Sequence, residues 1–184
     1  MKREINNHIE NHLQLISNNL FDISICVEKI TSEIKRTLKK KRTIFFAGNG
    51  GSAADCEHLA AELIGKYKKI RSPYKALALT SNSSVMSCIS NDFGYEKIFE
   101  RQLQGLGQKG DLLIVFSTSG RSKNIINVVK LAKRLKIFTI GLLGNNGGPC
   151  KNLCDFEYVV PSSSTANIQE VHHMIGHMFC RLID

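Results

Sequence analysis

The 184-residue chain is long enough for one domain with a complete core, and its composition (42% hydrophobic, 22% charged, no Trp) excludes a disordered protein. A net charge of +9 favours anionic ligands, but the basic runs lack the interleaved aromatic residues that single-stranded nucleic acid requires. Because no apolar run reaches about 18 residues and no signal-peptide pattern is present, we expect a cytoplasmic protein without nucleic-acid or membrane partners.

Residues 1–42 carry apolar residues at helical spacing and are predicted to form an amphipathic arm with a break near Phe21-Asp22. The apolar positions are Ile5, Ile9, Leu13, Ile16, Ile23, Val27, Ile30, Ile34 and Leu38. Such an arm either packs on its own domain or forms an oligomer interface. We favour the interface, because the sheet that follows in sequence has a complete pattern without it.

Residues 43–184 alternate between short apolar runs and helical stretches, which predicts an α/β domain. The predicted strands are 43–47, 76–80, 112–116, 138–143 and 156–160. The predicted helices are 53–64, 84–89, 96–106, 122–135 and 166–182. Continuous apolar strands of this kind form a parallel sheet flanked by helices, here five-stranded and nucleotide-binding-like. Its ligands are expected in the loops at the carboxyl ends of the strands.

The first such loop is glycine-rich: Gly48-Asn49-Gly50-Gly51-Ser52 follows the first strand and opens a helix. Glycines let backbone N–H groups approach an anion closely at the positive end of a helix. The spacing also matches the start of a dinucleotide fingerprint, which requires an acidic residue at the end of the second strand. That strand ends in Leu79-Thr80-Ser81-Asn82, so dinucleotide binding is disfavoured.

The second loop, Ser117-Thr118-Ser119-Gly120-Arg121-Ser122, is rich in hydroxyl groups. A helix N-cap needs only one Ser or Thr, whereas four hydroxyls in six residues exceed that need. Hydroxyls and backbone amides at a helix start form a neutral cradle for a phosphate monoester. No G-x-x-x-x-G-K-[ST] pattern occurs, so this is not the phosphate loop of an NTPase.

These two loops together resemble the sugar isomerase (SIS) domain family. Three further segments, 58–65, 91–95 and 168–177, sharpen the resemblance to its phosphoheptose isomerases and extend it over essentially the whole chain. The resemblance implies a cytoplasmic homotetramer, often with zinc, about one per subunit. It also implies interconversion of sedoheptulose 7-phosphate and D-glycero-D-manno-heptose 7-phosphate, an early step of bacterial surface-heptose synthesis.

The resemblance also assigns roles to individual residues. It implies Glu62 and His177 as the acid–base pair, and a metal held by His58, Glu62, Gln169 and His177. Phosphate would be held by Ser52, Ser117, Thr118, Ser119 and Ser122. The remaining substrate contacts would be Asn49, Gly50, Gly51, Asp92, Glu62 and Gln169.

The spacing of these residues is compatible with such roles but leaves alternatives open. His58 and Glu62 are one turn apart on one face of the predicted helix, as metal ligands or as a solvated surface pair. The last helix offers His172, His173 and His177, and the pair His173 and His177 could equally supply the ligands. We follow the resemblance in choosing Gln169 and His177.

Two positions depart from the family pattern, which often has Arg where this chain has Lys66 and Asn167. Both lose a planar bidentate donor, which puts substrate preference in doubt more than reaction type. An alternative function is that of a non-catalytic SIS-type regulator, resembling replication initiator-associating proteins. The presence of Glu62 and His177 together with His58 and Gln169 favours the enzyme.

Overall fold

A computed structural model describes residues 1–184 as seven helices and five strands. The helices are α1 (Lys2–Asn18), α2 (Leu20–Lys39), α3 (Gly51–Ile64), α4 (Ser83–Phe93), α5 (Ile98–Leu106), α6 (Lys123–Arg134) and α7 (Thr165–Ile183). The strands are β1 (Ile44–Ala47), β2 (Ala76–Ala78), β3 (Leu112–Ser117), β4 (Phe138–Gly144) and β5 (Phe156–Val160). Short 3₁₀ turns lie at Tyr95–Lys97 and Gly148–Cys150.

The five strands form one parallel sheet in the order β2-β1-β3-β4-β5, which confirms the predicted α/β architecture. All residues of β1 and β3 are buried, as expected for central strands covered on both faces. The strand order reverses between β1 and β3, and the carboxyl ends on either side of such a reversal border a crevice that binds ligands in open α/β sheets. Both predicted anion loops begin at this crevice.

Helices cover the two faces of the sheet in two separate apolar cores. On one face α2, α3 and α7 pack together through residues such as Ile30, Leu59 and Phe179, all fully buried. On the other face α4, α5 and α6 bury residues such as Phe99 and Val128. The first group holds α3 and α7 side by side, and this pair carries the candidate site.

None of the helices combines the length and the apolar character needed to cross a membrane.

The two helices of the N-terminal arm differ in their packing. Helix α2 buries Ile23, Val27, Ile30 and Ile34 against the sheet and α7, so the premise that the core is complete without residues 1–42 was wrong for α2. Helix α1 has no buried residue and leaves the apolar side chains of its stripe about half exposed, including Ile5, Ile9 and Leu13. The break between the helices falls at Asn19, slightly before the predicted position. A role of α1 in assembly stays a prediction.

Candidate functional site

The glycine-rich loop bends between β1 and α3, with Gly50 in the left-handed region at φ +57°. A side chain at Gly51 would collide with Gln169, since a Cβ there would lie 2.4 Å from the Gln169 Nε2 atom. Ser52 is buried in the first turn of α3. Gly50 and Gly51 therefore keep the start of α3 bare of side chains, as an anion-binding helix start requires.

The hydroxyl-rich loop follows β3 and is tightly folded. The buried Ser117 Oγ accepts a hydrogen bond from the Gly120 N–H (3.1 Å), and Ser119 Oγ accepts one from the Arg121 N–H (3.2 Å). Thr118 and Ser122 are partly buried, and the Ser122 side chain does not cap α6 although it occupies the N-cap position. Gly120 has φ +61°, and a Cβ there would lie 1.9 Å from the Gly147 carbonyl oxygen, so only glycine fits. A polar cavity of about 580 Å³ opens beside Ser119 and Arg121.

The two loops are joined by a pair of side-chain amides. Asn49 Nδ2 donates to Asn124 Oδ1 (3.0 Å), and Asn124 Nδ2 donates to Asn49 Oδ1 (2.8 Å). The Tyr95 hydroxyl also donates to Asn49 Oδ1 (3.0 Å). Asn124 and Tyr95 were not predicted as site residues; Asn124 is buried inside α6, where sequence gives no signal for an inter-loop contact. Asp92, by contrast, is exposed at the end of α4, bonded to Asn91 and Cys88.

Helices α3 and α7 run in parallel and meet residue by residue at a nearly constant offset. Gly51 meets Gln169, Asp55 meets His173, and His58 meets His177, at sequence separations of 118 to 119 residues. The helices approach closely at Gly176, where a Cβ would lie 2.7 Å from a methyl carbon of the buried Leu59. This close contact lets side chains from both helices converge on one place.

Three imidazoles converge there. The Nε2 atoms of His58 and His177 lie 2.9 Å apart, and the His173 ring centroid is 4.4 Å from that of His177. Potential ligand nitrogens of His58, His173 and His177 lie within 4.8 Å of one another, all on partly buried side chains. The Glu62 carboxylate reaches to 3.7 Å from His58 Nε2. Imidazole nitrogens with a nearby carboxylate are a donor set that suits zinc, so the residues fit a metal.

The cluster affects the protonation of His177. Burial lowers the pKa of His177 first, and the neighbouring His173 and His58 lower it further, while Glu62 and Asp55 oppose the shift. His177 is therefore neutral at pH 7, the form that can bind a metal or accept a proton.

The remaining predicted residues take separate places. Gln169 lies beside Gly51 at the start of α3, two turns along α7 from His177, so its role as a metal ligand stays a prediction.

His172 is fully buried, bonds the Leu143 carbonyl oxygen through Nε2 (3.0 Å) and packs against Phe116. Burial lowers the pKa of His172 to about 4, so it is a neutral core residue. His173 was left open as a ligand, and its i,i+4 spacing to His177 was the signal for its place in the cluster.

The positions that depart from the family pattern lie near the ends of the two site helices. Asn167 is buried in the first turn of α7 and donates its N–H to the Ser164 Oγ cap (3.4 Å). Lys66 is exposed just after the end of α3.

Arg71, whose role sequence did not reveal, donates to the backbone carbonyls of Leu63 and Glu62 (2.9 and 3.0 Å) and pairs with Asp184. It thereby satisfies the last carbonyls of α3, in the turn that carries Glu62.

The whole chain can be compared with known proteins. The family model for the SIS domain matches residues 10–144. A phosphoheptose isomerase of Nitratiruptor sp. is 51% identical over 160 residues, 87% of this chain and 81% of that protein. One from Aliarcobacter butzleri is 44% identical over 100% of this chain and 97% of its own length. The structure of a phosphoheptose isomerase from Francisella tularensis superposes with a TM-score of 0.95 at 31% identity, covering 99% of this chain and 97% of the other. The chain belongs to the SIS domain family and, within it, groups with the phosphoheptose isomerases.

Proposed function

We propose that this protein is an aldose–ketose isomerase that interconverts sedoheptulose 7-phosphate and D-glycero-D-manno-heptose 7-phosphate. The relatives' shared name supports it, at 51% and 44% identity over most or all of the chain. One observation carries the proposal in the structure. His58 and Glu62 lie on α3, the helix that begins at the glycine-rich loop, and the Glu62 carboxylate is 3.7 Å from the His58 Nε2 atom. The Nε2 atom of His177, on α7, lies 2.9 Å from the same His58 nitrogen, so the candidate base and acid flank one imidazole.

The phosphate of the substrate would bind at the two loops. The backbone N–H groups of Gly50 and Gly51 and the hydroxyls of Ser52, Ser117, Thr118, Ser119 and Ser122 offer neutral donors at two helix starts. Asn49, in the glycine-rich loop, and Gln169, whose amide lies beside Gly51, can hydrogen-bond the sugar hydroxyls. A sugar anchored by its distal phosphate presents its other end along α3, where His58 and Glu62 lie about 9 Å or more beyond Ser52 at 1.5 Å per residue.

The isomerisation needs a base and an acid. One group removes a proton from C1 of the ketose while the C2 carbonyl oxygen takes up a proton, which gives an enediol. Return of a proton to C2 and loss of the proton from the C1 oxygen gives the aldose. Glu62 is suited to the transfer at carbon. His177, neutral at pH 7, can hold and deliver the proton at oxygen.

Zinc, about one per subunit, forms part of the proposal. His58, Glu62, Gln169 and His177 are the residues that the family resemblance assigns to it. When bound, zinc would polarise the carbonyl and hydroxyl oxygens of the sugar. Because a site without cysteine binds metal less tightly than a structural Cys₄ site, we expect EDTA to lower activity without unfolding the protein and added zinc to restore it.

The proposal extends to assembly and location. A homotetramer is supported by the apolar side chains that α1 leaves exposed, Leu13 being 61% exposed in the single chain. A cytoplasmic location is supported by six unpaired cysteines, because a reducing compartment keeps thiols from forming disulfides.

The decisive experiment is incubation of the protein with sedoheptulose 7-phosphate in D₂O. We expect an aldose 7-phosphate carrying deuterium at C2, since a base-mediated enediol exchanges its proton with solvent. The variant Glu62→Gln is the matched negative control. The alternative, a non-catalytic SIS-type regulator, is disfavoured by the presence of Glu62 and His177 and by the names of the relatives. Binding of the sugar phosphate without formation of any aldose would support that alternative instead.

A further inference from the structure

A basic cavity of about 350 Å³ opens at the amino-terminal edge of the sheet, the edge opposite the two anion loops. It lies between the last turns of α2 and α6 and the segments that lead into β3 and β4. Because β3 is six residues long, about 20 Å of strand separates this cavity from the hydroxyl-rich loop. Five cationic side chains line it, those of Arg36, Lys40, Lys109, Lys133 and Lys136, together with two carboxylates.

The protein itself engages both carboxylates of the cavity. Asp111 is only 3% exposed, and its two oxygens accept hydrogen bonds from two backbone N–H groups at 2.9 and 2.7 Å. Asp155 Oδ2 accepts hydrogen bonds from the N–H and the hydroxyl of Thr139, both at 2.8 Å, and its Oδ1 lies 3.9 Å from Lys133 Nζ. Asp111 therefore forms no ion pair, and Asp155 offsets only the charge of Lys133.

The remaining cations differ in what they contact. The Arg36 guanidinium pairs with Glu33 (2.6 Å) and lies 5.2 Å from the centroid of the Phe138 ring. Three further cations of the cavity form no ion pair and no side-chain hydrogen bond: Lys40, Lys109 and Lys136. Like charges that line one cavity repel one another, and a bound anion would remove that repulsion.

The simplest alternative is that these lysines only complete the ends of two helices, where cations interact favourably with the helix dipole. The last carbonyls of the helices, however, already accept backbone N–H groups: those of Thr37 and Leu38 in α2, and those of Ala132 and Lys133 in α6. Lys136 also has φ +59°, a left-handed conformation in which glycine is the usual residue directly after a helix. The ending of α6 therefore does not require a lysine.

We propose that this cavity is a second anion site, separate from that of the sugar phosphate, and that it binds a compact anion carrying two phosphate groups. A cavity of this volume suits a small molecule. Only Ile137 and Phe138 among its lining residues are hydrophobic, which favours a ligand with little apolar surface. Two linked phosphate groups can contact more of the five cations at once than a single phosphate can. The proposal does not depend on the isomerase function.

The test is isothermal titration of the full-length protein with inorganic pyrophosphate, with inorganic phosphate as the comparison. It is run with and without EDTA, since pyrophosphate also binds metal ions. We expect pyrophosphate to bind at least about 10-fold more tightly than phosphate, and more weakly as salt is added. Lys136→Gly should weaken pyrophosphate binding about 3- to 10-fold, and Lys136→Gly combined with Lys109→Gln at least about 10-fold.

Lys41→Gly is the matched control, because Lys41 follows the end of α2 at φ +56° and does not line the cavity. It removes the same charge from the same backbone conformation and should leave the affinity unchanged. Since glycine is favoured at a positive φ, both glycine variants should keep or raise the melting temperature. Weaker binding in Lys136→Gly alone would then reflect a lost contact with the anion and not a damaged fold.

Pyrophosphate can also reach the loops that bind the substrate, so two measurements separate the sites. Ser119→Ala combined with Ser122→Ala should leave the Lys136-dependent binding unchanged, and Lys136→Gly should leave KM for the sugar phosphate unchanged. Pyrophosphate binding no tighter than that of phosphate, equal weakening by Lys41→Gly, or loss of binding in the serine variant would each overturn the proposal. Lys136-dependent binding of an oligonucleotide without any binding of pyrophosphate would also overturn it.

Discussion

The imidazoles of His58 and His177 face each other with their Nε2 atoms 2.9 Å apart, although 119 residues separate them in sequence. At that distance one nitrogen must donate and the other accept, so the two rings cannot both be protonated there without strong repulsion. The contact depends on the close parallel packing of α3 and α7. Both the protonation of the site and its geometry can therefore be tested through single residues of these two helices.

Substitution of the acid–base pair should lower turnover. We expect Glu62→Gln and His177→Ala each to reduce kcat at least about 10²-fold, because a positioned acid or base contributes about 10²- to 10⁴-fold. Steady-state assays of aldose formation measure the effect, with the exposed Glu57→Gln as control. Turnover near that of the unsubstituted enzyme in either variant would remove that residue from the mechanism.

Loss of hydroxyls from the second loop should affect binding more than turnover. Because phosphate is held alike in the ground and transition states, Ser119→Ala and Ser122→Ala should raise KM with little change in kcat. One hydrogen bond to a charged group contributes about 1.5–3 kcal/mol, so KM should rise roughly 10- to 100-fold.

Ser122 gives the cleaner measurement, since its side chain caps nothing, whereas Ser119 Oγ accepts a hydrogen bond from the Arg121 N–H and its loss would also disturb the loop. Ser32→Ala, at an exposed position of α2, serves as control. A fall in kcat at constant KM would mean that the hydroxyls act on the reacting carbons instead.

A methyl group at Gly176 should force α3 and α7 apart. The new Cβ would lie 2.7 and 3.0 Å from the two methyl carbons of Leu59, which is fully buried and cannot swing away. Overpacking of this kind costs about 1–3 kcal/mol, against about 1 kcal/mol gained from replacing a helical glycine by alanine. We therefore expect Gly176→Ala to lower the free energy of unfolding and to weaken zinc binding.

Gly105→Ala is the matched control, because Gly105 lies in α5 with open space around its Cβ position and should gain stability. Chemical denaturation measures both variants. Equal stabilisation by the two substitutions would show that the α3–α7 contact is looser than the structure indicates.

Acid should destabilise the protein through His172. Its pKa is lowered from 6.5 to about 4 by burial in the folded state, so the unfolded chain binds the proton more tightly. The contribution of His172 to the free energy of unfolding is therefore fully present above about pH 6.5. It is lost as the pH falls from there to about 4, by roughly 3 kcal/mol in total, because each unit of pKa shift corresponds to about 1.36 kcal/mol.

Chemical denaturation of the EDTA-treated protein at pH 7 and pH 4 gives the fall in the free energy of unfolding between the two pH values. In His172→Gln this fall should be smaller by roughly 3 kcal/mol. If the variant does not fold, the titration of His172 in the intact protein can be followed by NMR. A measured pKa near 6.5 would contradict the prediction.

The exposed stripe of α1 should be needed for assembly. Replacement of Ile5, Ile9 and Leu13 by Gln keeps helix propensity but removes the apolar face, and should give a smaller oligomer in light scattering after gel filtration. Asn6→Gln with Asn11→Gln, also exposed on α1, is the control. Deletion of residues 1–42 should instead cause aggregation, since it removes α2 from the core. An unchanged tetramer in the triple variant would show that α1 is peripheral.

The sequence was sufficient for the sheet and for the loops at its carboxyl edge, because continuous apolar strands and glycine- or serine-rich helix starts are local patterns. It was insufficient where a role depends on contact between distant segments. The hydrogen bonds of Asn124 with Asn49, of Arg71 with the end of α3 and of Asp55 with His173 have no local signature. Helix α2 was assigned to an interface because periodicity shows that a face is apolar but not what covers it.

The separation of the site's two helices has a consequence for how the protein becomes active. Helix α3 follows the first strand, whereas α7 follows the last, so the ligands meet only after every strand between them has been synthesised and paired. Closing so long a segment is among the slower events in folding, because distant contacts form after local ones. A nascent chain with β1 and α3 already formed would hold His58 and Glu62 without their partners, so metal uptake should mark the end of maturation.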